Sequence, residues 1–214
     1  MKLIASVLHL DRKAVRALKI DSVYGLHKAV YSLFPDVRTA EEKKASTPSG
    51  FLYVDQGGDY KSRKILLLSD RQPLDQIEGQ YGEVQSKEIS AGFLQHDRYR
   101  FKVVVNPTRR ENASRKLVPV KGREAIAQWF DERAVASWGF KVLPEKLQID
   151  STDVLTFNDK TGRKVTLAQA QVQGVLQVTD REKFIQSFRQ GIGRGRAFGC
   201  GLLQIVPFVE NPLD

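Results

Sequence analysis

The sequence predicts an α+β protein built as two small sandwiches in tandem. Segments of helical apolar period and segments of strand character follow one another along the whole chain, so neither period prevails. The chain has 214 residues, enough for one medium domain or two small ones. Its apolar fraction of 41% is enough to fill a core and excludes global disorder.

The elements follow in order. Residues 2–10 read as a strand carrying Leu3, Ile4, Val7 and Leu8. Asp21 and Ser22 are helix N-cap types, and Val23, Leu26, Val30 and Leu33 then recur at helical spacing, which predicts an amphipathic helix over 22–34. Pro35 ends it, because proline lacks the N–H and disfavours helix in Phe34. Residues 38–49 are polar and end in a turn signal, Thr47-Pro48-Ser49-Gly50. Strands are expected over 51–55 and 63–68, around Gly57-Gly58. Residues 70–92 read as irregular, with one short helix near 73–78. A strong strand over 99–105 closes at Asn106-Pro107. This order, β-α-β-β-(α)-β, is the split βαβ pattern of a ferredoxin-like (RRM-like) domain.

The second half repeats the pattern more loosely. Residues 116–120 form a short strand, placed at a sheet edge by Pro119. A helix over 123–135 carries Ile126, Trp129 and Phe130 on one side. Strands are expected over 140–143, 148–157 and 163–178, with a hairpin turn at 158–162. Asp180 caps a helix through Arg189, and 202–206 is the closing strand. The expected domains are therefore residues 1–107 and 108–214.

Composition narrows the function. A lone cysteine, Cys200, excludes an internal disulfide framework and a site of several zinc thiolates, and it fits the reducing cytoplasm. No apolar run approaches the ~20 residues of a membrane helix, and the first residues do not read as a secretory signal, so no membrane partner is expected. Between Arg98 and Arg123 nine basic residues face one acid, Glu111, a net of +8 in a chain of +9. Clustered positive charge is the footprint of phosphate-backbone binding, or simply a solvated face.

A glycine-rich loop runs from Gly191 to Gly201, with Arg194 and Arg196 interleaved. Glycines let the backbone approach a ligand, and arginines suit phosphate oxygens. The spacing is neither the dinucleotide fingerprint nor the P-loop, and the loop lies between a helix and a strand, the reverse of both motifs. No nucleotide cofactor is expected; a phosphate contact and a plain connection both remain open.

On the first helix Tyr24, His27, Lys28 and Tyr31 fall at i, i+3, i+4 and i+7, so they share one face. An imidazole can accept and donate protons near neutrality, and a phenol can donate to a developing oxyanion. RNA self-cleavage is one chemistry that runs on such groups with no metal or cofactor, because the substrate supplies its own 2′-OH as nucleophile. An ordinary groove histidine has the same spacing. His9 and His96 read as structural, and no carboxylates stand at a metal-site spacing.

Three stretches together resemble a known family. They are Ser22-Val23-Tyr24-Gly25-Leu26-His27, the strand Arg100-Phe101-Lys102-Val103-Val104-Val105-Asn106-Pro107, and Gln190 through Leu203 with its glycines. In length, order and spacing the chain resembles the CRISPR-associated CasE endoribonucleases of Cascade complexes, within the RAMP superfamily. The resemblance implies two tandem ferredoxin-like domains and metal-independent cutting of CRISPR precursor RNA at the base of the repeat stem-loop. It implies 5′-OH and 2′,3′-cyclic phosphate ends, and product retention beside other Cascade subunits. The family's helix histidine corresponds to His27 and its tyrosine to Tyr24, the expected catalytic pair. Arg194 and Arg196 exceed the arginines usual in the family's loop.

The expected RNA contacts are Lys28, the basic stretch Arg109, Arg110, Arg115, Lys116, Lys121 and Arg123, the hairpin residues Lys160, Arg163 and Lys164, and Arg194 and Arg196 of the loop. Two other readings fit the same residues: a non-catalytic repeat-binding subunit of the same fold, and an enzyme holding a small phosphorylated ligand in the glycine loop.

Overall fold

The structure is a computed structural model that describes residues 2–39, 41, 49–59, 62–159 and 161–208. It forms two compact units. The first runs to Ile89 and takes in Phe157–Val165 and Ala197–Gly199; the second holds Ser90–Thr156, Thr166–Arg196 and the chain from Cys200. No helix among the described residues is long and apolar enough to cross a membrane.

The first unit opens with strand β1 (Ile4–Asp11), in which Leu8 and Leu10 face inward on alternate positions. The Asp11 carboxylate then accepts from Ala14 N–H and starts the short helix α1 (Arg12–Ala17), a turn with no apolar period to betray it in the sequence. Helix α2 (Val23–Ser32) follows, then β2 (Phe51–Gly58), β3 (Ser62–Ser69) and β4 (Glu83–Glu88). The sheet is antiparallel in the order β2-β3-β1-β4, which is second, third, first, fourth. One face packs on the helices: Leu8, Leu10, Tyr53, Ile65 and Leu67 meet Leu26, Val30 and Leu33 of α2 and its end.

Two expectations fail between β3 and β4. There is no helix near 73–78; Ile77 and Tyr81 instead bridge a tight turn through Glu78 and Gly79, both at positive φ. Strand β4 went unpredicted because Glu-Val-Gln-Ser-Lys-Glu carries one apolar residue. It exists as a polar edge, held by β1 and by a Ser6–Ser86 hydroxyl bond of 2.8 Å.

The second unit has β5 (Arg98–Val105), the small hairpin β6 (Thr108–Arg110) and β7 (Leu117–Pro119), and helix α3 (Arg123–Arg133). Then come β8 (Phe140–Val142), β9 (Gln148–Asn158), β10 (Lys164–Val178), α4 (Arg181–Gln190) and β11 (Gln204–Pro207). Its main sheet runs β11-β5-β10-β8, with β9 against β10. Counting those four strands in chain order gives fourth, first, third, second, the same ferredoxin-like order as in the first unit. The helices cover one face through an aromatic core: Phe101 stacks on Phe130 at 5.5 Å, and Tyr99 on Phe184 at 5.4 Å. Gly139 turns the chain before β8 at φ 77°; a Cβ there would lie 2.5 Å from the backbone of Asp180 and Phe184.

The strand expected to close the first domain therefore belongs elsewhere. Arg98–Val105 pairs with β10 and β11 and is the first strand of the second sheet. The division expected at residue 107 differs from these compact units, in which the first unit's leading segment ends at Ile89. Residues 116–120, expected to open the second sandwich, form only β7, paired with β6. Strand propensity marked both segments, but which sheet each joins depends on long-range pairing.

Candidate active site

Helix α2 places the site. The Ser22 hydroxyl accepts from Gly25 N–H at 3.1 Å and fixes the start of the helix. Gly25 is tightly required: a Cβ on it would lie 2.6 Å from the Lys19 carbonyl oxygen. The helix buries Gly25, Leu26, Ala29 and Val30 and so turns Tyr24, His27 and Tyr31 to a half-buried side, with Lys28 exposed.

His27 is held on several sides. Its ring lies 4.0 Å from that of Tyr31, 5.4 Å from Phe198 and 5.7 Å from Tyr24, the last nearly parallel. Its Nδ1–H donates to the Ala197 carbonyl at 2.7 Å. A carbonyl oxygen only accepts, so in the neutral ring Nε2 keeps its lone pair. The hydroxyl of buried Tyr53, on β2, donates to the same oxygen at 2.8 Å. Burial pushes the His27 pKa below its ordinary 6.5, partly opposed by the bond to Ala197. Lys28 Nζ lies 5.5 Å from the Tyr24 ring centroid. The result is an imidazole that is neutral near pH 7, fixed in one tautomer and backed by two phenols.

The glycine loop is what reaches His27, and it does so with its backbone and an aromatic ring. Ala197 and Phe198 were not singled out from the sequence, nor was Tyr53. Phe198 also packs on Phe157, 4.7 Å away in the first unit. Gly199 takes φ 82° with its Cβ position 3.4 Å from the Tyr53 ring, which lets the loop lie against β2. The loop's arginines behave differently. Arg196 donates from Nε to the Gly193 carbonyl and from one Nη to the Gln190 carbonyl, shaping the loop itself. Arg194 is exposed, its backbone bridged to Asn106. Cys200 is buried, and its thiol is pushed up to about 12, so it stays protonated and inert.

The remaining expected contacts divide between the units. Arg163 and Lys164 are exposed at the β9–β10 turn, within the first unit; Lys160 lies outside the described residues. Arg109 and Arg110 on β6, Arg115 and Lys116 before β7, and Lys121 and Arg123 at the start of α3 are all exposed and belong to the second unit. Arg110 braces its own hairpin by donating to the Arg115 carbonyl at 2.8 Å.

Comparison with known proteins decides the family. The family described as CRISPR associated protein matches residues 3–207. The chain belongs to this family. The match bears out the CasE resemblance drawn from the sequence. The CRISPR-associated endoribonuclease Cse3 of Thermus thermophilus is 30% identical over 119 residues, covering 51% of this chain and 56% of that protein. The aligned part thus spans little more than half of that relative. Among solved structures, a CRISPR endoribonuclease Cse3 bound to 19 nt RNA superposes with a TM-score of 0.78 at 22% identity, over 97% of this chain and 100% of that one. A chain of a CRISPR RNA-guided surveillance complex, before nicking, gives 0.68 at 22% identity, over 97% and 100%. These likenesses confirm for this CRISPR-associated chain the α+β fold with its antiparallel sheets.

Proposed function

We propose that this chain is a metal-independent endoribonuclease that cuts CRISPR precursor RNA at the base of the repeat stem-loop. The observation that carries this reading is His27: one imidazole, neutral at physiological pH, with Nδ1 tied to Ala197 and Nε2 left as the base. The Thermus relative named as an endoribonuclease, and the RNA-bound structure of the same fold, support the substrate class.

In this mechanism the ribose 2′-OH gives its proton to His27 Nε2 and its oxygen attacks the adjacent phosphorus. The O2′–P bond forms, the P–O5′ bond breaks, and O5′ takes a proton from solvent while the His27 imidazolium returns its proton to solvent. The ends are a 2′,3′-cyclic phosphate and a 5′-OH, and no water is consumed. The Tyr24 hydroxyl and the Lys28 ammonium stabilise charge on the phosphate. Arg109, Arg110, Arg115, Lys116, Lys121 and Arg123 grip the stem-loop backbone, with Arg163, Lys164 and Arg194 adding contacts. A-form RNA is read largely by shape and phosphate position, so the hairpin fold matters beside its sequence. The product stays bound beside other subunits of a Cascade-type complex in the cytoplasm; the surveillance-complex likeness supports the partner subunits.

The test is His27→Ala on a synthetic repeat hairpin. Cleavage is expected to fall by roughly 10²–10⁴-fold, the worth of a general acid or base, with Kd for the hairpin within about twofold. Parental cutting by the variant overturns the assignment. A parent that binds the hairpin and never cuts it points to the non-catalytic binding subunit.

A further inference from the structure

Three basic residues of the net +8 segment stand outside the proposed grip. Arg98, Arg100 and Lys102 alternate along β5 with Tyr99, Phe101 and Val103, which are buried beneath α3 and α4. Successive strand residues point to opposite faces, so the three cations share the face of the second sheet that turns away from its helices. Arg100 and Lys102 are exposed.

The register supplies their neighbours. Lys102 sits between Gln173 on β10 and Gln204 on β11, and Arg100 lies across from Val206 on β11. The guanidinium of Arg100 stacks 5.3 Å from the ring centroid of Phe208, which follows β11. The carboxylate of Asp150 meets this face at the β9 side, where it accepts from Gln173 at 2.9 Å. The face thus carries a line of cations about 7 Å apart, flanked by amides and ending on an aromatic ring.

We propose that this sheet face is a second RNA site, taking single-stranded RNA. Cations at alternate strand positions match phosphates along an extended strand. Phe208, backed by Arg100, offers a stacking surface that tolerates any base. The choice of RNA over an acidic protein surface rests on that ring, which a purely electrostatic docking patch does not need. The site goes beyond the hairpin reading: it binds unpaired RNA whether or not the hairpin is the substrate.

The test uses the full chain and a fluorescent, unstructured oligoribonucleotide, measured by anisotropy over a salt series. Arg100→Gln/Lys102→Gln is expected to weaken binding about tenfold and to lower the salt slope by about 1.4, at roughly 0.7 per single-strand phosphate. Phe208→Ala is expected to weaken binding at least fivefold while leaving the salt slope in place. Cleavage of a minimal hairpin lacking flanks stays at the parental rate in all variants. Unchanged oligonucleotide binding overturns the proposal, even if hairpin cleavage is found as described. A loss of partner-subunit binding with intact RNA binding does so too, in favour of a protein docking face. Failure of the hairpin reading shows separately, as a parent that does not cut.

Discussion

Tyr53 reaches the site through a carbonyl. Its hydroxyl and the His27 Nδ1–H both donate to Ala197 O, so Tyr53 holds the acceptor that selects the His27 tautomer. Tyr53→Phe is expected to raise the share of Nε2–H imidazole in ¹⁵N spectra and to lower kcat about fivefold, the worth of one hydrogen bond, with KM unchanged. An unaltered tautomer with unaltered kcat contradicts that role. The pH profile belongs to the same residue. A base works when neutral, and burial lowers the His27 pKa below 6.5. The single-turnover rate should therefore rise with pH through a midpoint below 6.5 and level off above it. A midpoint at or above 6.5 contradicts it. Of these residues, helical spacing displayed Tyr24, His27, Lys28 and Tyr31. Tyr53 and Ala197 were not legible, because the bonds to the Ala197 carbonyl span 144 residues from Tyr53 and 170 from His27, and no residue type announces a carbonyl.

At the scale of elements, α2 is the part on which the proposed chemistry depends, and its first turn is testable at two positions. Ser22→Ala removes the cap and is expected to cost about 1 kcal/mol of stability by denaturant unfolding. Gly25→Ala improves helix propensity yet drives a Cβ against the Lys19 carbonyl. It is expected to lower stability by about 1–3 kcal/mol and to cut the cleavage rate by displacing His27. A stabilised Gly25→Ala protein with full activity contradicts the packing described here. Helix α2 was readable because cap, apolar period and Pro35 agree. Strand β4 was not, because it sets only Val84 against the core and takes its strand pairing from β1 alone.

Over the whole molecule, both ferredoxin-like units were legible as kinds of fold, while their division was not. The strand Arg98–Val105 has the same local pattern whichever sheet it joins; only its pairing with β10 and β11 assigns it to the second. Charge was legible in amount and sequence position, but the structure separates it by purpose: Arg196 and Arg110 brace their own loops, and Arg98, Arg100 and Lys102 line a sheet face. In the proposed mechanism the RNA cuts itself on a single imidazole. The most direct measurement is mass spectrometry of the ends left when purified protein meets a repeat hairpin in EDTA. The expected result is a 2′,3′-cyclic phosphate and a 5′-OH, with a hairpin carrying 2′-deoxyribose at the cut site bound but intact. Cleavage of the deoxy hairpin, or ends bearing a 5′-phosphate, would contradict it.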